Sequence, residues 1–264
     1  MIAVAWHHVD ATPRFPQYHR MAKSTDKAGR PRRASGRGAA TKPALTRESV
    51  IAAALAQIDA NGVDAFNLRT LAQSLGVYPT AVYWHVPNKN AILAEVVAVV
   101  FRDVAPPRAG ADWRGYLRTL FHRYRDSVRR HPNVAPLVGA HLVGNLSIDF
   151  DFVEGVLGAL ADAGLGGARL AAGYNAVFAS LIGFVIQEFS PIPENQAAEW
   201  QSAVQQRLLG VDPERHPVLA SNLSLLANKA FVLRWQNGSE APLDAAFEAF
   251  IEQVIAGVES LRGA

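Results

Sequence analysis

Cysteine is missing from this chain of 264 residues, which excludes disulfides, thiol nucleophiles and thiolate metal sites together. A strong net charge is missing too: 26 Lys and Arg against 23 Asp and Glu leave only +3. No apolar run reaches the length of an uncharged membrane span. Ala176 to Ile186 is apolar but short, and Gln187 and Glu188 close it. No cleavable signal is recognisable, which points to a cytoplasmic protein with no membrane partner. Catalytic signatures are lacking: there is no Gly-rich phosphate loop, HExxH, GxSxG or obvious carboxylate pair. Asp149 and Asp151 are close in sequence but stand near a helix start, where acids complement the dipole. The expectation is no enzyme and no cofactor.

The charge that is present is unevenly spread. Residues 1–45 carry nine Lys and Arg against two Asp, net +7, whereas residues 46–105 net −1 and the remainder −3. This leader is rich in Pro, Gly, Ser and Ala without periodicity, and reads as a basic disordered segment. Within it, Gly29-Arg30-Pro31-Arg32-Arg33 is similar to the core of an AT-hook, which lies along a narrow minor groove. Ala28 stands where a basic residue is usual, and a solvated basic tail is the simpler reading. The neighbours His7 and His8 sit in too unstructured a region to hold a metal.

The densest information lies in Leu68 to Lys89. Asn67 is placed to cap a helix, and Phe66 to staple onto Leu71 one turn later. Leu68, Leu71, Ala72 and Leu75 mark one apolar face at helical spacing, and Gly76 sits where a left-handed cap is wanted. Pro79 suits the first turn of a second helix carrying Thr80, Tyr83, Trp84 and His85. Two helices across a tight Gly turn, the second with outward polar and aromatic side chains, predict a helix-turn-helix DNA reader. Such a pair needs a supporting helix. Thr46 caps one, with Leu45 and Val50 as its staple; Val50, Ile51, Ala54, Leu55 and Ile58 are its inner stripe, and Asn61–Gly62 its end. Asn88 caps a further helix with Ile92, Leu93, Val96, Val97 and Val100 inward. Lys89 lies in that helix's first turn, where the macrodipole disfavours a cation, so a DNA phosphate would relieve the conflict.

These residues carry a resemblance. Leu71-Ala72-Gln73, Leu75-Gly76-Val77, Tyr83-Trp84-His85-Val86 and Asn88-Lys89 are similar to the DNA-binding domain of the TetR (tetracycline repressor) family. The resemblance covers residues 46–104. It implies that Arg69, with Thr70 beside it, reaches a base, and that Pro79, Thr80 and Ala81 face base edges. It implies that Tyr83, His85 and Lys89 hold phosphates and that Trp84 packs inside, within the same DNA-binding surface. Tyr78 and Pro79 stand where the tetracycline repressors carry polar readers, and Pro87 replaces a lysine, so the operator sequence is this chain's own.

Residues 105–264 read as a second, larger helical domain, making the whole chain all-α. Helices are expected over Trp113 to Arg130, Phe152 to Ala163, Gly167 to Phe189, Ala197 to Leu209, Val218 to Trp235 and Leu243 to Leu261, with a short interrupted segment from Pro132 to Leu142. In the first of these, Leu117, Leu120, Phe121, Tyr124 and Val128 point inward, and Arg114, Arg118, Arg125 and Arg129 outward. The resemblance implies a four-helix homodimer interface from the long helix and the last one. The small residues Ala172, Ala176, Ala179, Ser180 and Gly183 suit it.

The same resemblance implies a small-molecule effector held between these helices. Candidate contacts are Phe101, Phe121, Tyr124 and His141, then Tyr174, Asn175, Phe178 and Gln187. Their character points to a hydrophobic or aromatic compound. The resemblance sets His141 near a drug-bound magnesium, but no second ligating His accompanies Phe178, so no metal is expected. The function expected is a repressor released from a palindromic double-stranded operator by its effector. The alternatives are a sequence-tolerant DNA-architectural protein and a helical enzyme with a small-molecule pocket.

Overall fold

A computed structural model describes residues 44–108, 112–141, 149–193 and 197–262. The basic leader, with its AT-hook-like segment and paired histidines, lies outside the described residues. All regular structure among the described residues is helical. Helix α1 (Arg47–Asn61) starts where Thr46 accepts a hydrogen bond from the Ser49 amide at 3.1 Å, while the Ser49 hydroxyl accepts one from the Thr46 amide at 3.0 Å. It ends at Gly62, whose φ of 77° suits a residue without Cβ. Asn67 caps α2 (Leu68–Leu75) and Gly76 ends it in the left-handed region, φ 66° and ψ 35°.

After Gly76 come α3 (Pro79–Tyr83) and, capped by Asn88 through the Ala91 amide, α4 (Lys89–Val100). The second helix of the motif is thus shorter than its sequence pattern predicts. Trp84 is its C-cap and His85 already lies beyond it, because Pro87 drives Val86 away from helical backbone. A first core gathers the inner faces of α1, α2 and α4 around Phe66, Leu71, Val82 and Val86, joined by Val134 and Leu137.

The second core is built by α5 (Trp113–Arg130), α7 (Phe150–Asp162), α8 (Gly167–Glu188) and α11 (Asp244–Ser260). Between the two lie a 3-10 turn, Pro132–Val134, and α6 (Ala135–His141), which touches α4 on one side and α8 on the other. The stripe Leu117, Leu120, Phe121, Tyr124 and Val128 is buried as the sequence predicts. Arg125 is not outward: only 4% of it is exposed. It follows Phe121 by four residues and precedes Val128 by three, which sets it inside the apolar stripe.

Two further expectations are corrected. Helix α8 spans 22 residues and holds an 18-residue window with a mean hydropathy of 1.5, long and apolar enough by length and composition to cross a membrane. Its Val177, Leu181, Phe184 and Val185 are buried in the second core. The helix expected over Val218 to Trp235 stops early: α10 is Pro217–Leu226. Asn228, at φ 60°, breaks it, and its side-chain oxygen accepts from the Trp235 and Gln236 amides at 3.2 and 3.1 Å. Asn tolerates this conformation and bonds backbone locally, so a turn competes successfully with the helix. Helices α9 (Ala197–Leu209) and α10 contribute no buried residue.

Candidate nucleic-acid interface

Local capping decides what the reader exposes. Val82 and Val86 are fully buried and anchor α3 to the first core. That leaves Tyr78 84% exposed, with Pro79 and Thr80 exposed beside it, Tyr83 half-exposed, and Ala81 and His85 partly covered. Arg69 and Thr70 are exposed on the first turn of α2. Trp84 overturns its expected burial: it is 87% exposed. Val82 and Val86 already fill the interior position, and as C-cap of a five-residue helix Trp84 is turned off the packed face.

Lys89 resolves its unfavourable place without an external anion. Its ammonium donates to the Phe66 carbonyl at 3.0 Å and stands 5.5 Å from the Phe66 ring centroid. The ammonium has three donors, so two are left for a phosphate. The same contact ties the start of α4 to the residue that precedes the α2 cap, and so sets the spacing of the reader's two anchoring helices. On the other side, Arg47 of α1 donates to Glu95 of α4, Nε to Oε2 at 2.8 Å.

The reader is fastened to the helices beyond it by two polar groups. Asn133 of the 3-10 turn donates to the Ile58 and Asp59 carbonyls at 3.2 and 3.0 Å, at the end of α1. His131 Nδ1 lies 2.9 Å from the Asp59 carboxylate.

Four of the candidate effector residues share the second core: Phe121 and Tyr124 are buried in it, and Phe101 and Tyr174 pack against it. Phe101 stacks on Tyr124 at 4.5 Å, and Phe121 meets Phe250 edge-on at 5.8 Å. Tyr174 stacks on Phe178 at 5.9 Å, and Phe152 meets Phe178 edge-on. Tyr124 is buried, its hydroxyl has no hydrogen-bond partner, and burial pushes its pKa well above the usual phenol range. Asn175 is exposed on α8. Residue 141 closes α6, but the His141 side chain lies outside the described residues. Gln187 is exposed, and lines a cleft with Trp200, Phe231 and Arg234.

Sequence reasoning missed the polar centre of the second core. Arg125 Nε donates to Glu188 Oε2 at 2.7 Å, and Nη2 to Oε1 at 2.5 Å, with Glu188 wholly buried. Glu188 Oε1 also accepts from the Leu243 amide at 2.9 Å, and Arg125 Nη1 reaches Asp244 at 2.8 Å. Arg125 also lies over the Phe247 ring at 4.4 Å. Hydrogen bonds from Arg129 and then Arg125 hold the Asp244 carboxyl below its usual pKa. The pair therefore joins α5, α8 and the start of α11.

A supported helix pair with exposed reader residues, set before a helical bundle, defines a helix-turn-helix DNA-binding protein. Comparison with known proteins is specific. Residues 50–96 match the family described as bacterial regulatory proteins, tetR family, and residues 106–262 match the tetracyclin repressor-like C-terminal domain. A transcriptional regulator of Saccharopolyspora erythraea is 33% identical over 184 residues, 69% of this chain and 76% of that one. The class C tetracycline repressor of Escherichia coli is 28% identical over 83% of this chain and 92% of its own length. BioQ, solved with its double-stranded DNA operator, is 30% identical over 56% of this chain and 89% of that one, with a TM-score of 0.52. Streptomyces coelicolor ActR in complex with actinorhodin shares the fold, at 23% identity, covering 84% of this chain and all of that one, TM-score 0.63. The chain belongs to the TetR family: it is a DNA-binding transcriptional regulator and not an enzyme.

Proposed function

We propose that this regulator is a repressor that binds a palindromic operator as a homodimer and is released by a small hydrophobic or aromatic effector. The carrying observation is the exposed reader row from Tyr78 to Thr80, held up by buried Val82 and Val86. In this reading Arg69, Thr70, Pro79, Thr80 and Ala81 meet base edges, whereas Tyr83, His85 and Lys89 meet phosphates. Trp84 joins the surface as an exposed contact. The division falls between a reader over residues 46–104 and an effector and dimerisation region over 105–264, preceded by the basic leader.

Dimerisation is supported by glycines with no use inside the chain. Gly183 on α8 and Gly257 on α11 are interior helical positions, where Gly is about 1 kcal/mol worse than Ala. A Cβ at either would meet nothing within 4 Å. Ala172, Ala176 and Ala179 are likewise exposed on α8. Close approach by a second copy gives such residues a purpose, and would place two readers about 34 Å apart in successive major grooves.

An effector is supported by relatives: ActR is solved with actinorhodin. Coupling of about 1–3 kcal/mol between effector and operator acts reciprocally. Selecting bound duplexes from a random pool should return a palindrome, and effector affinity should fall when the operator is bound. Recovery of all sequences alike, with a steep salt slope, would instead indicate an architectural protein.

A further inference from the structure

The cleft that Gln187 lines lies where the end of α8 meets the segment after α10. It encloses about 240 Å3, below the roughly 300–1,000 Å3 of sites for drug-sized ligands. One side is aromatic, with Trp200 of α9 and Phe231; amides are supplied by Gln187, Gln236 and Asn237. Among the described residues that line it, Arg234 is the one cation.

Arg234 is incompletely used. Its Nη2 donates to the Ala241 carbonyl at 2.6 Å and Nη1 reaches the Glu188 carbonyl at 3.5 Å, whereas Nε is buried without a partner. The Glu188 carboxylate, whose charge Arg234 feels, is committed to Arg125 and the Leu243 amide. Among the described residues no carboxylate forms an ion pair with Arg234. Burial lowers its pKa, and the Glu188 charge offsets only part of that effect. A second irregularity marks the same wall. Val232, β-branched and 95% exposed, is held at φ 70°, a conformation such residues rarely adopt and one that clusters at ligand clamps.

We propose that this cleft binds a small aromatic carboxylate, its anionic group on Arg234 and its ring against Trp200 and Phe231. A carboxylate offers acceptors to the Nη donors left over after the Ala241 and Glu188 carbonyls, in a charge-assisted bond. The volume limits the ligand to about one ring with a short acid arm. The position gives the ligand leverage, because the Glu188 carbonyl also accepts from the Gly238 amide at 2.7 Å, and a Cβ at Gly238 would stand 2.5 Å from Glu188 Cγ. Whatever settles on Arg234 presses on the residue that joins α5 to α11. The inference rests on the effector-responsive reading, and names the chemistry of that effector.

Titration of the full chain without DNA tests it, using phenylacetate and its neutral isostere phenylacetamide, read by calorimetry and by the change in tryptophan fluorescence that Trp200→Phe removes. The acid should bind saturably, at least about tenfold more tightly than the amide. Arg234→Gln should abolish that preference and Arg234→Lys should keep part of it, with binding to a selected operator retained as proof of folding. The acid–amide comparison needs no variant, so it stands even if Arg234→Gln unfolds. Equal affinity for acid and amide, no saturable binding of the acid, or an unaltered preference in a folded Arg234→Gln would each overturn the proposal. Acid binding that leaves operator affinity unchanged would support the site and remove only its role as effector.

Discussion

Arg125 and Glu188, 63 residues apart, form a two-bond ion pair in the second core, with 4% and none of each residue exposed. Removing one partner strands a buried charge. Arg125→Met, which strands the Glu188 carboxylate, should cost about 3–5 kcal/mol; Glu188→Leu, which leaves Arg125 its bond to Asp244, should cost less, and the double variant much less than the sum. Urea unfolding of the four proteins measures this.

Trp84 gives the opposite result. At 87% exposure it contributes little to the interior, so Trp84→Ala should change stability by no more than about 0.5 kcal/mol. A Trp packed inside would cost about 3–5 kcal/mol. Chemical denaturation decides between them, and DNA binding should weaken.

Arg69 and Lys89 should separate specificity from grip. Arg69→Ala should relax base preference at one position of each half-site. Lys89→Met should weaken every duplex alike and reduce the salt slope by about 1 per site. Losing its bond to the Phe66 carbonyl should cost a further ~1 kcal/mol of stability. Salt titrations on matched and mismatched duplexes check both.

Asp244 predicts a pH dependence. Its hydrogen bonds to Arg129 and Arg125 keep it ionised below the pH at which the unfolded chain protonates, near 3.9. The stability it contributes is complete above that value and is lost as pH falls through the depressed folded pKa. Asp244→Asn should therefore lower the melting temperature at pH 6, and the two melting temperatures should converge once the pH has fallen below the depressed folded pKa.

Gly183 offers a test by sign. In a lone chain Gly183→Ala would stabilise α8 by about 1 kcal/mol, since a Cβ there meets nothing. With a second copy against that face it should destabilise instead. Gly183→Glu should halve the mass in light scattering while leaving the helical spectrum intact.

The parts of this fold legible in the sequence were the local ones. Thr46, Asn67 and Asn88 cap helices through amides three residues away, and Gly76 turns the chain by itself, so no distant partner had to be known. The apolar stripe of α4 was legible because period alone defines a face. Arg125 was misread as outward since its partner is remote, although its register between Phe121 and Val128 was a signal already present. Trp84 was misplaced because its burial was carried over from the resemblance, whereas here it closes a five-residue helix and its ring stands exposed. The break at Asn228 depends on bonds to Trp235 and Gln236, which helical periodicity does not register. The effector candidates were chosen by residue type, and type alone does not reveal that Phe121 and Tyr124 are buried whereas Asn175 and Gln187 are exposed.

Helix α1 is pinned near both ends, by Arg47 to Glu95 at its start and by Asn133 to the Ile58 and Asp59 carbonyls at its finish. Between those pins its inner face, Val50, Ile51, Ala54 and Ile58, is buried in the first core, so the 3-10 turn addresses the DNA-facing module through a helix that is gripped along its whole length.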